Sequence, residues 1–70
     1  MRKIRFEKQV TVDFLDHRDE GQGTDKTFFA HQIVEVERVE ETVRGFVDLI
    51  FENGDAAIGV GKQFINLVEE

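Results

Sequence analysis

The chain has 70 residues, a net charge of −6, seven Phe, and no Cys, Trp, Tyr or Pro. That is enough for one small domain, residues 1–70, and it excludes a disulfide framework and a cysteine-ligated zinc site. The charge is uneven: Arg2, Lys3, Arg5 and Lys8 against Glu7 give the first eight residues +3, which leaves −9 on the other 62.

The N-terminal MRKIRFEK has no apolar region of the signal-peptide kind, and no apolar run approaches the roughly 20 residues of a membrane span. A soluble, cytoplasmic protein is expected. Residues 3–15 alternate Ile4, Phe6, Val10, Val12 and Phe14 with polar residues, the period of two of a half-buried strand. Lys8 falls on the apolar face and marks a bulge or a side chain snorkelling past the core edge. Residues 16–27, DHRDEGQGTDKT, predict a long polar loop with Gly21 and Gly23 as flexible points. Thr27–Val39 reads as a second strand whose apolar parity slips near Ile33-Val34, which points to a bulge or a bend shared between two sheets. A helix over Ile33–Val43 is the alternative, and the density of β-branched residues favours strand. Glu40–Thr42 forms a short polar connection.

The strongest signal lies at GFVDLIFENGDAAIGVG, Gly45 to Gly61, where two β-type runs flank Asn53-Gly54. A two-residue turn there would pair Phe51 with Ala56, Leu49 with Ile58 and Val47 with Val60 on one inner face. Glu52 and Asp55 would face each other across the turn. Phe46, Ile50 and Ala57 would then point outward, with Asp48 and Gly59 among them. Lys62–Ile65 suits one 3₁₀ turn, and Asn66–Val68 a last short strand.

The element order is long strand, long loop, strand, short connection, strand, hairpin turn, strand, 3₁₀ turn, short strand. It resembles an SH3-like small barrel: an all-β, five-stranded fold with a long first loop and a short 3₁₀ turn before the last strand. The resemblance implies that residues 16–27 correspond to the long binding loop. With no Tyr, Trp or Pro and no ALYDY-like run, proline-peptide binding is not carried over.

Catalytic and cofactor signals are weak. The chain has no serine and no cysteine, and its threonines have no nearby base, so a noncatalytic protein without a cofactor is expected. Asp16, His17, Asp19 and Glu20 crowd one loop as possible ligands for a divalent metal, without the spacing of a zinc site; a solvated charged loop is the better reading. His31 reads as a packed or edge histidine within a strand. Gly59-Val60-Gly61-Lys62 resembles a fragment of a phosphate loop, but Ala56 and Gln63 stand where that motif needs Gly and Ser or Thr.

The apolar surplus carries more. A small barrel buries one face of each sheet, so an outward patch of Phe46, Ile50 and Ala57 asks for a cover. Rimmed by Asp48, Glu52 and Asp55, it would suit a basic protein surface or a second copy of the chain. The expected function is a protein-interaction module, as a small acidic regulator or inhibitor. The alternative is nucleic-acid binding through Arg2, Lys3, Arg5 and Lys8, which an otherwise acidic body disfavours.

Overall fold

The alternation along Ile4–Phe14 folds into extended chain, in two pieces. In the computed structural model, which describes residues 2–18 and 23–68, β1 (Arg2–Phe6) and β2 (Val10–Leu15) are separate strands. They part at residues 7–9, where Lys8 breaks the apolar phase and reaches out to within 5.9 Å of the centre of the Phe64 ring. The remaining strands are β3 (Gly23–Phe28), β4 (Ile33–Val36), β5 (Arg38–Val43), β6 (Phe46–Ile50), β7 (Ala56–Gly61) and β8 (Ile65–Val68). A 3₁₀ turn at Lys62–Phe64 precedes β8.

These eight strands form two antiparallel sheets, ordered β4-β1-β8 and β3-β2-β7-β6-β5, in place of five continuous barrel strands. The difference arises because the long strands bend. β1 and β2 lie in different sheets, as do β3 and β4, and β4 gives way to β5 at Glu37. The slip in parity near Ile33 is therefore a bend between sheets, at the turn 29–32. There the Gln32 N–H donates to the Phe29 carbonyl (3.0 Å), and the Phe29 N–H donates to Gln32 Oε1 (3.0 Å). His31 sits in this turn with φ of 71°, not within a strand as expected; His is among the residues that tolerate the left-handed region. Residues 33–36 and 38–43 are strand, and there is no helix there.

Two polar segments predicted as connections are also strand. The expected loop 16–27 ends early, since Gly23–Phe28 pairs with β2 along its whole length, Leu15 opposite Gly23 through Val10 opposite Phe28. Residues 19–22 of that segment lie outside the described residues. Glu40–Thr42 belongs to β5, and the reversal into β6 falls at Arg44-Gly45, between the paired Val43 and Phe46.

The β6–β7 hairpin keeps its position and changes its turn. The Gly54 N–H donates to the Phe51 carbonyl (3.0 Å), the Phe51 N–H to the Asp55 carbonyl (2.8 Å), and Gly54 has φ of 96°. This is a three-residue loop closed by a left-handed glycine, not the expected two-residue turn. The pairing next to it moves by one residue: Ile50 faces Ala56 and Leu49 faces Ala57. A second irregularity at Ile58-Gly59 restores Val47 opposite Val60. Gly59, at φ of 73°, points its N–H to Asp48 Oδ1 (3.1 Å).

Between the sheets lie Ile4, Phe6, Phe28, Val36, Val47, Leu49, Ala57 and Val60, all buried. Phe6 and Phe28 stack with ring centres 4.5 Å apart, one ring from each sheet. No polar side chain is buried among the described residues, so the core is held by apolar contact alone. Each large side chain within it contributes roughly 1.5–3 kcal/mol by leaving water.

Gly59→Ala should cost about 1–2 kcal/mol, the penalty of a left-handed backbone for a residue with a Cβ; there is open space around the position. Gly54→Ala should cost more, because its Cβ would also meet the Cβ of His17 at 3.1 Å. Urea denaturation should rank the midpoints wild type, Gly59→Ala, Gly54→Ala, from highest to lowest.

Candidate functional site

The five-stranded sheet has one face on the core and one face outward, and the outward face is not ordinary polar surface. Strand register determines who stands beside whom. One row runs Leu15, Ala56, Ile50 and Arg38 across β2, β7, β6 and β5. The next begins with Asp25 opposite Asp13, continues with Ile58 opposite Asp13, and ends with Asp48 opposite Glu40. Phe46 lies at the far end of β6, 47% exposed. Ile50 and Ile58 are half-buried, Ala56 is buried, and Leu15 is 39% exposed.

Two cross-strand pairs in the second row thus join like charges, Asp13 with Asp25 and Glu40 with Asp48. Directly opposed like charges in a sheet are destabilising by several tenths of a kcal/mol. The only cation in either row is Arg38. Its Nε donates to Glu40 and its Nη1 to Glu37 (2.7 Å), which relieves one end of the row and leaves Asp13 and Asp25 facing each other. Asp48 accepts the Gly59 N–H and so holds the β7 bulge that follows the outward Ile58. The arrangement is a strip of carboxylates laid over an apolar floor.

The structure brings together three of the six expected docking residues, Phe46, Asp48 and Ile50, and removes the other three. Ala57 is fully buried in the core, because the extra turn residue reverses its parity; Ile58 takes its place outside. Asp55 does not face Glu52. It pairs with Phe51 and turns its carboxylate to His17. Glu52 stays exposed at the turn, away from the row. Leu15, Asp13, Asp25 and Glu40 were missed by sequence reading. No local signal marks them, because GTDKT, the partner strand of Val10–Leu15, has no apolar alternation.

The basic residues of the alternative reading are divided. Arg2 lines a cavity of about 220 Å³ between the sheets with Ile4 and Lys62, whereas Lys3 and Arg5 alternate to the other side of β1. Arg5 Nε donates to Glu7 (2.9 Å), and Lys8 lies near Phe64. Hydrogen bonds from Asn66 and Arg5 hold the Glu7 carboxyl below its usual range.

Of the proposed metal-loop residues, Asp19 and Glu20 lie outside the described residues. Asp16 and His17 come together with Asp55, and one ligand atom from each lies within 4.8 Å of the others. Asp55 Oδ1 already accepts the His17 N–H (2.9 Å) and lies 2.6 Å from His17 Nδ1, while Oδ2 accepts from Asn53 (3.1 Å). Asp16 is likewise engaged, by the N–H (2.8 Å) and guanidinium of Arg18. The geometry is that of a latch tying the end of β2 to the β6–β7 turn, and a cation would have to undo it.

Compared with family models, with curated proteins and with solved structures, the chain matches none. No helix among the described residues is long and apolar enough to cross a membrane.

The latch has a pH dependence of known sign. The His17 backbone N–H, then its ring and the Asn53 amide, hold the Asp55 carboxyl below its ordinary range. A depressed carboxylate stabilises the fold above its unfolded-state value and loses that contribution as pH falls through its folded-state value. The thermal midpoint of the wild type should therefore drop relative to Asp55→Asn below about pH 4, with the wild type the more stable above it. Parallel melting curves across that range would show that the latch carries no charge-dependent stability.

Proposed function

We propose that this protein is a noncatalytic interaction module that docks through the outer face of its five-stranded sheet on a basic protein surface, as a small acidic regulator or inhibitor. The observation that carries the reading is the carboxylate row of Asp25, Asp13, Asp48 and Glu40, interleaved with Ile58 and flanked by Leu15, Ile50 and Phe46. A partner presenting Lys or Arg beside apolar side chains would relieve both like-charge pairs and cover the exposed hydrocarbon. Such charge complementarity chiefly raises association rate and selects the partner, while the apolar centre supplies affinity.

In this reading the two sheets, joined by strands that bend from one to the other, form an incompletely closed SH3-like barrel whose working surface is a sheet face instead of a long loop. The protein acts in the cytoplasm, where basic nucleic-acid-handling proteins are one available class of partner. No reactive constellation stands on the face, and no cofactor takes part.

The test uses Phe46→Ser/Ile50→Ser and, separately, Asp13→Asn/Asp48→Asn. All four positions lie outside the core cluster, so the circular dichroism spectra should stay native. Affinity capture with the wild-type chain should retain basic proteins that elute with salt; the apolar pair should lose them at any salt concentration, and the amide pair should lose chiefly the salt-sensitive part. Identical capture by all three chains would remove the face as the docking surface. Sedimentation of the isolated wild type as a dimer, dissociated by Phe46→Ser/Ile50→Ser, would replace the basic partner with a second copy.

A further inference from the structure

A second feature lies on another side of the molecule and does not rest on the sheet face. Between β2, β3, β4 and the β6–β7 turn is an open cleft of about 430 Å³. Its lining includes Phe14, Phe28 and Phe51, with Glu35, Glu52 and Asp55 as carboxylates. Phe14 and Phe51 stand 5.8 Å apart at a tilt of 54°, so the cleft has two walls of aromatic ring.

One cation is already there. The Lys26 ammonium lies 5.2 Å from the centre of the Phe14 ring and 5.9 Å from that of Phe28. Among the described residues the Lys26 ammonium makes no ion pair or hydrogen bond, although acidic residues line the same cleft. Its ammonium is therefore positioned by ring faces. An ammonium or guanidinium over an aromatic face is attracted by the ring quadrupole, more strongly as water is excluded. Lys26 is exposed, and a lysine stem of four carbons can rotate, so its ammonium can leave. Once it swings out, the lining keeps its two aromatic walls and the Glu52 carboxylate, while Asp55 stays engaged by His17 and Asn53 and Glu35 stands opposite Lys3 on β1.

We propose that this cleft accepts an arginine side chain from a partner protein, and that Lys26 occupies it in the free protein as a displaceable internal substitute. Arginine is favoured over lysine because a planar guanidinium can lie flat on a ring and still donate from its edge to a carboxylate. Charge complementarity commits the site to a cation, and Lys26 shows that these rings already hold one.

The probe is the peptide acetyl-Gly-Gly-Arg-Gly-Gly-amide, titrated into the full-length ¹⁵N-labelled chain and followed by two-dimensional NMR. Its counterpart with citrulline, neutral and of the same shape, serves as control. The arginine peptide should shift resonances of residues 14, 26, 35 and 51–53, and the citrulline peptide should not. Lys26→Gln should tighten arginine binding several-fold, because the internal competitor is gone. Glu52→Gln, at an exposed position, should weaken it. Phe14→Leu should abolish it while the unbound spectrum remains dispersed. The proposal fails if citrulline binds equally, if Lys26→Gln weakens or leaves binding unchanged, or if neither peptide binds. Shifts confined to Asp13, Asp48 and Ile58 would place the cation on the sheet face and also overturn it. The same cleft shifts produced by a thymidine oligonucleotide, and not by the arginine peptide, would make the rings a base-stacking site instead.

Discussion

The hydrogen bond from the Phe51 N–H to the Asp55 carbonyl closes a ring at the β6–β7 turn, and most of what is distinctive in this molecule depends on it. It fixes a three-residue loop, and with it which side chains of β7 go inward. Ala57 enters the core and Ile58 leaves it. A strand whose period is two has no intermediate solution: one residue more in the turn exchanges the faces. The second bulge at Gly59 then returns Val60 to the interior, so that the slip is confined to Ala56–Ile58. The turn is held in place from outside the hairpin as well, since His17 grips the carboxylate of Asp55 from 38 residues away in sequence.

The core explains why this local arrangement has to be tight. A chain of this length buries only about 60% of its unfolded surface, and no disulfide is available to restrict the unfolded state. The two sheets meet through the stacked rings of Phe6 and Phe28, surrounded by Ile4, Val36, Leu49 and Val60. β7 lies in the middle of the larger sheet, between β2 and β6. Small Ala57 beneath it, paired to Phe14 on one side and Leu49 on the other, lets the larger neighbours fill the space. Ile58 in that position would overfill the same volume, and overpacking costs as much as a comparable cavity. Core volume and turn type therefore demand the same parity.

How much of this was legible follows from the range of each interaction. Alternation along residues 3–15, the hairpin at Asn53-Gly54, the 3₁₀ turn and the bend near Ile33 all rest on neighbours within a few residues, and all are present. The class of turn was not legible, because Asn-Gly serves two-residue loops and bulged three-residue loops alike; what separates them here is the latch to His17. β3 was hidden because Gly23–Thr27 has no inward apolar residue before Phe28, and its pairing with β2 runs mainly through the backbone and the Thr11–Thr27 hydroxyl contact. With β3 read as loop, the opposition of Asp13 and Asp25 had no means of being seen. Phe46, Asp48 and Ile50 were placed outward because β6 keeps plain alternation, and Ala57 was misplaced because the turn holds three residues, not two.

The carboxylate row is asymmetric in what it costs and what it offers. Within the sheet, repulsion acts mainly between adjacent strands, at a few tenths of a kcal/mol to about 1 kcal/mol per opposed pair. Across the whole row, from β3 to β5, the distance is roughly four strand spacings, or about 19 Å, beyond the Debye length of about 8–10 Å at ordinary ionic strength. The far members hardly repel each other. Against a stability of roughly 3–10 kcal/mol for a domain of this size, two opposed pairs are a tolerable loss. A cationic surface lying on the face is in a different position, since it touches every carboxylate at once and is screened from none of them. Self-repulsion is thus limited to neighbours while attraction to a partner accumulates along the row. A partner with only one or two cations would gain little from this, whereas an extended basic surface would gain from each strand it crosses, and the apolar floor between the charges would hold it there once the water had left.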